Sequence, residues 1–245
     1  MAVNTKYRSA APEIMDDFQM EGEILKDALD KIANINQLLG GNKVTLNGIK
    51  LLIKNIPKNQ VIQIVDMGCG NGDMLRMLAE YAKKEGLSFL LKGIDANEFT
   101  INYATEISKE YPNVSFLCMN MLNDQKHSFL ATKEPFTTCD IILCTLTLHH
   151  FKDEEIIKLL TDFKISARIG IVINDLERSA LAYHLFKALC YAFRLNHMSR
   201  EDGLVSILRG FKKADLQRFS ELLKFKNNTI NWKWAFRYQW IIKTR

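Results

Sequence analysis

Val61-Ile-Gln-Ile-Val-Asp-Met-Gly-Cys-Gly-Asn-Gly72 is the stretch that decides how this chain folds. Its first half is a short β-branched run closed by Asp66, which reads as a buried strand. Its second half sets glycines at 68, 70 and 72, where the chain can turn tightly and a ligand can approach backbone that a Cβ would block. A helical pattern begins at once and runs over about 72–85. Ser88-Phe-Leu-Leu-Lys-Gly-Ile-Asp95 then supplies a second strand, again closed by an acid.

Working outward, the alternation continues. A helix is expected over 97–110, a strand over 114–119, a strand over 140–144, a helix opening with Asp153 as N-cap, and an apolar strand over 169–173. Apolar runs bounded by turns, alternating with helices, imply a doubly wound, mostly parallel sheet covered on both faces. Upstream, Ile14, Phe18, Leu25, Leu29, Ile32, Ile35 and Leu39 recur at helical spacing over 12–39. Gly40-Gly41 stops that pattern, and a shorter helix over 45–55 ends before Pro57. Downstream, an apolar helix is expected over 176–196 and another over 213–223. Strands near 226–231 and 236–243 have no helix between them and suit an antiparallel hairpin at the sheet edge. The expected organisation is an N-terminal helical cap, 1–57, and an α/β domain, 58–245, with a helical insertion at 176–211.

The glycine turn separates the cofactor classes. A dinucleotide fingerprint would need a small residue three positions after Gly70, where Asp73 stands; no Lys-Ser/Thr follows to make a phosphate-cradling P-loop. The pattern Asp-x-Gly-x-Gly-x-Gly over 66–72, with Asp95 ending the next strand, resembles the first motifs of the class I S-adenosylmethionine-dependent methyltransferases. That resemblance covers 61–175 and implies a Rossmann-like, seven-stranded sheet with S-adenosyl-L-methionine as cofactor and S-adenosyl-L-homocysteine as product. It implies a cofactor site made of Asp66, Gly68, Cys69, Gly70, Asp95, Ala96, Asn120, Met121, Cys144 and Thr145. Asp95 would accept from both ribose hydroxyls, Asp66 would help hold the amino end, and Asn120 and Met121 would border the adenine. Asn120 departs from the family, which often keeps an acid there.

The acceptor class follows from what the fourth strand leads into. Leu143-Cys-Thr-Leu-Thr-Leu-His-His-Phe151 holds no Asn/Asp-Pro-Pro-aromatic motif of nucleic-acid amino methylases, and no cysteine follows a proline as in cytosine C5 enzymes. Leu148-His-His-Phe151 resembles the ubiquinone/menaquinone-type and related small-molecule enzymes, and 174–186 with 199–211 resembles a branch linked to polyketide and pigment metabolism. A small, apolar phenolic, quinonoid or polyketide-like acceptor is therefore expected, methylated on oxygen more than carbon. His150, His149 and His184 are the base candidates, with Asp175 behind them. The alternatives are an enzyme acting on RNA or protein, or a binding module without catalysis. Asn174-Asp175 alone makes a poor site for a hard cation, so no metal is expected. Arg8 is a candidate for the cofactor carboxylate or an acidic acceptor. Along the expected 176–196 helix, Leu181, Leu185, Leu189 and Phe193 form an apolar stripe that suits either core or a lid.

Composition sets the outer bounds. The chain has 245 residues, 47% hydrophobic and 25% charged, enough for a core without disulfides or metal clips. Five cysteines without a CxxC pair read as free thiols in a reducing compartment, and the N-terminal residues lack the apolar core of a signal peptide. A cytoplasmic protein without a membrane span is expected. The formal net charge of +5 is dispersed, which argues against nucleic acid as partner and leaves a small, lipid-like acceptor and a homodimer as the expected associations.

Overall fold

The computed structural model describes residues 3–122, 138–193 and 195–244. Among these residues seven strands form one sheet: β1 (Val61–Met67), β2 (Ser88–Asp95), β3 (Val114–Cys118), β4 (Cys139–Thr145), β5 (Ala167–Leu176), β6 (Asn227–Lys233) and β7 (Arg237–Lys243). Their order is β3-β2-β1-β4-β5-β7-β6. The first five are parallel, while β7 runs antiparallel to β5 and β6 antiparallel to β7. The expected doubly wound sheet with its C-terminal hairpin is thus observed, with β7 inserted between β5 and the edge strand β6.

Among the described residues the α-helices are α1 (Glu23–Leu38), α2 (Gly41–Ile53), α3 (Asp73–Glu85), α4 (Glu98–Ile107), α5 (Asp153–Ser166), α6 (Ala180–Ala192), α7 (His197–Arg209) and α8 (Lys213–Leu222). Two apolar cores lie on the two faces of the sheet. One gathers Phe163, Phe211, Phe219 and Trp240; the other joins α2 and α3 to β1 and β4 through Ile49, Leu52, Leu75, Leu78 and Ile141. Because Ile49 and Leu52 belong to the second core, α2 is packed onto the sheet itself. α1 instead leans on α7, through a small cluster of Leu25, Ala28, Leu29 and Met198. That leaves a space between α1 and the carboxyl ends of the strands.

Two local expectations are corrected, and one that was left open is decided. The pattern read as one helix over 12–39 is a 3-10 turn, Ile14–Asp16, followed by α1 from Glu23, because Gly22 at φ 94° breaks the run. Asp153 is the first residue of α5 rather than its cap; the Lys152 N–H donates to Glu155 Oε2 (2.8 Å), and Asp153 is taken by Arg8 (2.8 Å) and Arg218. The apolar stripe on α6 does not pack on the sheet. α6 leans on α7, leaving Leu181, Leu185 and Phe193 about half exposed.

Arg8 is not a ligand for the cofactor carboxylate. Its guanidinium donates to the carbonyls of Arg209 (2.8 Å), His149 (2.9 Å) and Phe151 (2.9 Å), pairs with Asp153, and stacks on the Phe211 ring at 4.6 Å. It straps the N-terminal segment across the turn after β4. Arg8→Ala is expected to destabilise the fold by about 3 kcal/mol, since three carbonyls and a partly buried carboxylate each lose a donor, although the His149 carbonyl and Asp153 keep a second one. A denaturant melt of the variant that superimposes on wild type would contradict this.

Candidate active site

The site is built at the carboxyl ends of β1, β2 and β4, where an open α/β sheet leaves its crevice. After β1 the chain reverses through Gly68 and Gly70, at φ 73° and 52°, a region that side chains rarely adopt. A Cβ on Gly68 would stand 2.3 Å from the Thr147 side chain, so that position needs glycine for space as well. A Cβ on Gly70 would meet only Leu29, at 3.8 Å, which shows that this part of the turn faces open cavity. The N–H groups of Gly68 and Cys69 donate to the Ile94 carbonyl (2.8 and 3.0 Å), binding the turn to the end of β2.

Asp95, the last residue of β2, accepts from the Gly70 N–H through Oδ2 (3.1 Å) and the Asn97 N–H through Oδ1 (3.2 Å). Burial raises its pKa, against the pull of those N–H groups. Asp66, buried at the end of β1, has one carboxylate oxygen with no partner. Burial first, then Asp73 and Asp95, push its pKa well above the usual range. A crevice faced by a buried carboxylate with one unpartnered oxygen and by a second, half-buried carboxylate rejects a pyrophosphate and suits a ligand with hydroxyl donors and positive charge. S-Adenosylmethionine fits that donor set: a ribose diol for Asp95, and an ammonium with a sulfonium near Asp66.

Most of the expected cofactor residues converge here. Asp66, Gly68, Cys69, Gly70, Asp95, Ala96, Asn120, Met121 and Thr145 all line one cavity of about 750 Å³. Cys144 does not. Successive strand residues point to opposite faces, so with Thr145 on the cavity side Cys144 falls into the core with Met67, Leu148 and Phe211. The Asn120 carbonyl, assigned to the adenine from the sequence, accepts from the Leu122 N–H (2.9 Å).

The histidines separate in the same way. His149 and His150 sit on a 3-10 turn after β4 and both line the cavity. His149 Nδ1 lies 2.6 Å from Asp175 Oδ1, and His150 Nδ1 lies 2.7 Å from Asp16 Oδ1. Asp175 also accepts from the His149 N–H (3.1 Å), so it positions the histidine instead of facing the ligand. His184, on α6, is exposed, edge-on to Tyr183, and absent from the cavity wall.

Several site residues escaped the sequence reading. Glu13 and Asp16 approach the histidine pair from the N-terminal segment; Ser206 donates to Glu13 (2.7 Å) and Arg209 to Asp16 (2.6 Å). Asp30 on α1 accepts from Tyr103 (2.9 and 2.8 Å) and Asn71 (3.0 Å), clamping α1 over the glycine turn. Asn97 donates to the carbonyls of Phe18 (3.1 Å) and Met20 (2.8 Å). All of these are pairings between distant segments that no local pattern encodes. The cavity extends from the crevice under α1 (Leu25, Leu29) to a lobe walled by α6 and α7 (Leu185, Phe186, Leu189, Ile207).

Residues 64–170 match the family model described as "Methyltransferase domain". That match spans less than half of the chain. The chain is 22% identical over 162 residues to a "Ribosomal RNA large subunit methyltransferase G" from Shewanella putrefaciens (strain CN-32 / ATCC BAA-453), which covers 63% of this chain and 39% of the relative. It thus spans about two fifths of the length of the curated relatives it matches. The plantazolicin methyltransferase BpumL, solved with a pentazolic desmethylPZN analog and SAH, superposes with a TM-score of 0.65 at 18% identity, over 91% of this chain and 90% of that one. Magnesium protoporphyrin IX methyltransferase from Synechocystis PCC 6803, solved with SAM, gives 0.54 at 14% identity, over 94% and 88%. The glycine turn lies near the start of the matched region and the histidine turn in its last quarter.

The raised carboxylates give the domain a pH signature. A carboxylate whose folded pKa is raised favours the fold below its unfolded value, and loses that contribution as pH rises through the folded value. Asp66 and Asp95 should therefore weaken the ligand-free protein on the alkaline side of the normal carboxylate range, where a cationic ligand relieves them. If the ammonium and ribose hydroxyls of S-adenosylhomocysteine meet these groups, the rise in Tm that it produces should grow with pH across that interval. Thermal melts showing a gain independent of pH would contradict the assignment.

Proposed function

We propose that the chain transfers a methyl group from S-adenosylmethionine to a small, largely apolar acceptor held in the lobe between α1, α6 and α7. The observation that carries this reading is the single cavity of about 750 Å³ joining the Asp66–Gly72 turn to that lobe. It lies within the roughly 300–1,000 Å³ of ordinary small-molecule sites.

When bound, the cofactor supplies an electrophilic methyl on a sulfonium. The chain supplies position and dryness. Asp95 receives the ribose hydroxyls, Asp66 faces the amino end, Gly70 leaves room for the methionine portion, and Ala96, Asn120 and Met121 wall the adenine side. Leu25, Leu29 and Ile32 of α1, with Leu185, Phe186 and Leu189 of α6, keep water from the reacting atoms. His149 and His150, at the end of β4, meet the nucleophilic atom of the acceptor. Phenolic and quinonoid compounds suit the mixture of apolar walls and a polar end.

The similarity to ribosomal RNA methyltransferases supports RNA as a second reading. The test is methyl transfer from labelled cofactor to a panel of hydroxyquinones, phenols, polyketide-like acids and ribosomal RNA, read by mass spectrometry. Turnover on a small apolar member supports the proposal. Turnover confined to RNA replaces it with the second reading.

A further inference from the structure

The polar end of the lobe carries an arrangement that methyl transfer alone does not require. Both imidazoles are anchored through Nδ1 to a carboxylate, His149 to Asp175 and His150 to Asp16, at 2.6 and 2.7 Å. A neutral imidazole that donates from Nδ1 keeps its lone pair on Nε2. Both Nε2 atoms face one side chain, Glu13: His149 Nε2 is 3.6 Å from Oε1, and His150 Nε2 is 3.8 Å from Oε2. His149 Nε2 and Glu13 Oε1 are buried and neither has a hydrogen-bond partner. One ligand atom from each of Glu13, His149 and His150 lies within 4.8 Å of the other two.

Those separations are too long for hydrogen bonds. They are close to the ~3.4 Å expected between two ligands that each stand about 2.1 Å from one tetrahedral ion. Charge points the same way. Glu13, Asp16 and Asp175 are three carboxylates around the pair. Arg209 stands against two of them, 2.6 Å from Asp16 and 3.7 Å from Glu13, and also donates to the carbonyls of Ala11, His149 and His150. Asp202, which holds the Ile14 and Met15 N–H groups (2.6 and 3.0 Å), is a fourth carboxylate beside the segment that carries Glu13.

We propose that Glu13, His149 and His150 bind one divalent first-row transition ion, with Asp16 and Asp175 as the carboxylates that orient the histidines, and with the remaining coordination positions open to the lobe. Two imidazoles and one carboxylate are a donor set for zinc, iron or cobalt, whereas magnesium and calcium demand more oxygens. Partner carboxylates on ligating histidines are the usual second layer of such sites. The ion faces the place assigned to the acceptor, where it would bind an acceptor oxygen and lower the pKa of a hydroxyl. That role rests on the methyltransferase reading; the binding of the ion does not. The pair Asn174-Asp175, weighed from the sequence, is not the site: Asn174 donates to Gly41 and Thr45, and Asp175 acts through His149.

The test uses the full-length, tag-free chain, stripped with chelator and titrated with Co²⁺ by visible absorption, with Zn²⁺ as competitor. S-Adenosylhomocysteine is titrated on the same samples. One equivalent of Co²⁺, displaced by Zn²⁺, is expected for wild type. Glu13→Gln, which keeps a carbonyl acceptor for Ser206, and His150→Ala should abolish stoichiometric uptake. Asp16→Asn should weaken uptake by about 10–100-fold, the range for outer-layer partners. All three should keep wild-type affinity for S-adenosylhomocysteine, which shows the crevice intact. Wild type that binds S-adenosylhomocysteine but takes up no Co²⁺ overturns the ion site and leaves the methyltransferase reading standing. Uptake of Co²⁺ without S-adenosylhomocysteine binding does the reverse. Uptake unchanged in both Glu13→Gln and His150→Ala places the ion elsewhere and overturns the site.

Discussion

Asp95→Ala should lower the affinity for S-adenosylhomocysteine by at least about 100-fold while leaving the fold in place. Two hydrogen bonds to a carboxylate are at stake, each worth roughly 1.5–3 kcal/mol, and 1.4 kcal/mol is a factor of ten. The fold should survive because the side chain's partners are the Gly70 and Asn97 N–H groups at the rim of the crevice, and because burial already disfavours its ionised form. The variant therefore separates ligand recognition from stability: calorimetric affinity collapses, and the thermal midpoint of the ligand-free protein stays level or rises. An affinity within a factor of three of wild type would remove Asp95 from the cofactor site.

His150→Ala should act on the opposite step. The imidazole is partly exposed, held by Asp16, and directed at Glu13 in the lobe rather than at the glycine turn. A group that handles the acceptor's proton, directly or through an ion, is worth about 10²–10⁴ in rate. Turnover should fall on the order of 100-fold with the cofactor affinity kept. His184→Ala, on the exposed face of α6, should leave both quantities at wild-type values. Equal losses in the His150 and His184 variants would show that the histidine turn has no special place in the reaction.

The parts of the molecule that were legible in the sequence are those encoded by short-range pattern. Strand β1, its glycine turn and α3 are contiguous, and each is set by its own residues: β-branched side chains, residues able to take positive φ, and an apolar stripe at helical spacing. The mostly parallel sheet and the hairpin at the end of the chain followed from the same pattern of elements, whereas the order of the strands came from the structure. Cys144 was misplaced because family resemblance names a segment, whereas the pleat decides which of two neighbours reaches the ligand. Arg8 and His184 failed for a different reason. A lone charged residue carries no periodic signal, and its partner is chosen by tertiary packing: Asp153 and three carbonyls for Arg8, solvent and Tyr183 for His184. Glu13 and Asp16 were invisible on the same grounds. They lie more than a hundred residues before His149 and His150, in a segment whose apolar spacing imitates a helix. The expected absence of a metal was argued from Asn174-Asp175, because the third ligand of the other candidate set sits in that N-terminal segment.

The division of labour across the cavity explains why the N-terminal segment matters to a domain matched only from residue 64. Asp30, Asn97 and the Arg8 strap hold α1 and the preceding turn over the crevice, and the same turn delivers Glu13 and Asp16 to the histidine pair. Among the described residues, no helix is long and apolar enough to cross a membrane.

Everything assigned to the crevice converges on one ligand pose, and a crystal structure with S-adenosylhomocysteine addresses it directly. The account predicts density against the 68–70 turn, with the ribose hydroxyls on Asp95, the amino group toward Asp66, and the sulfur directed at the lobe beside His149 and His150. Density lodged elsewhere, or a ribose turned away from Asp95, would contradict it.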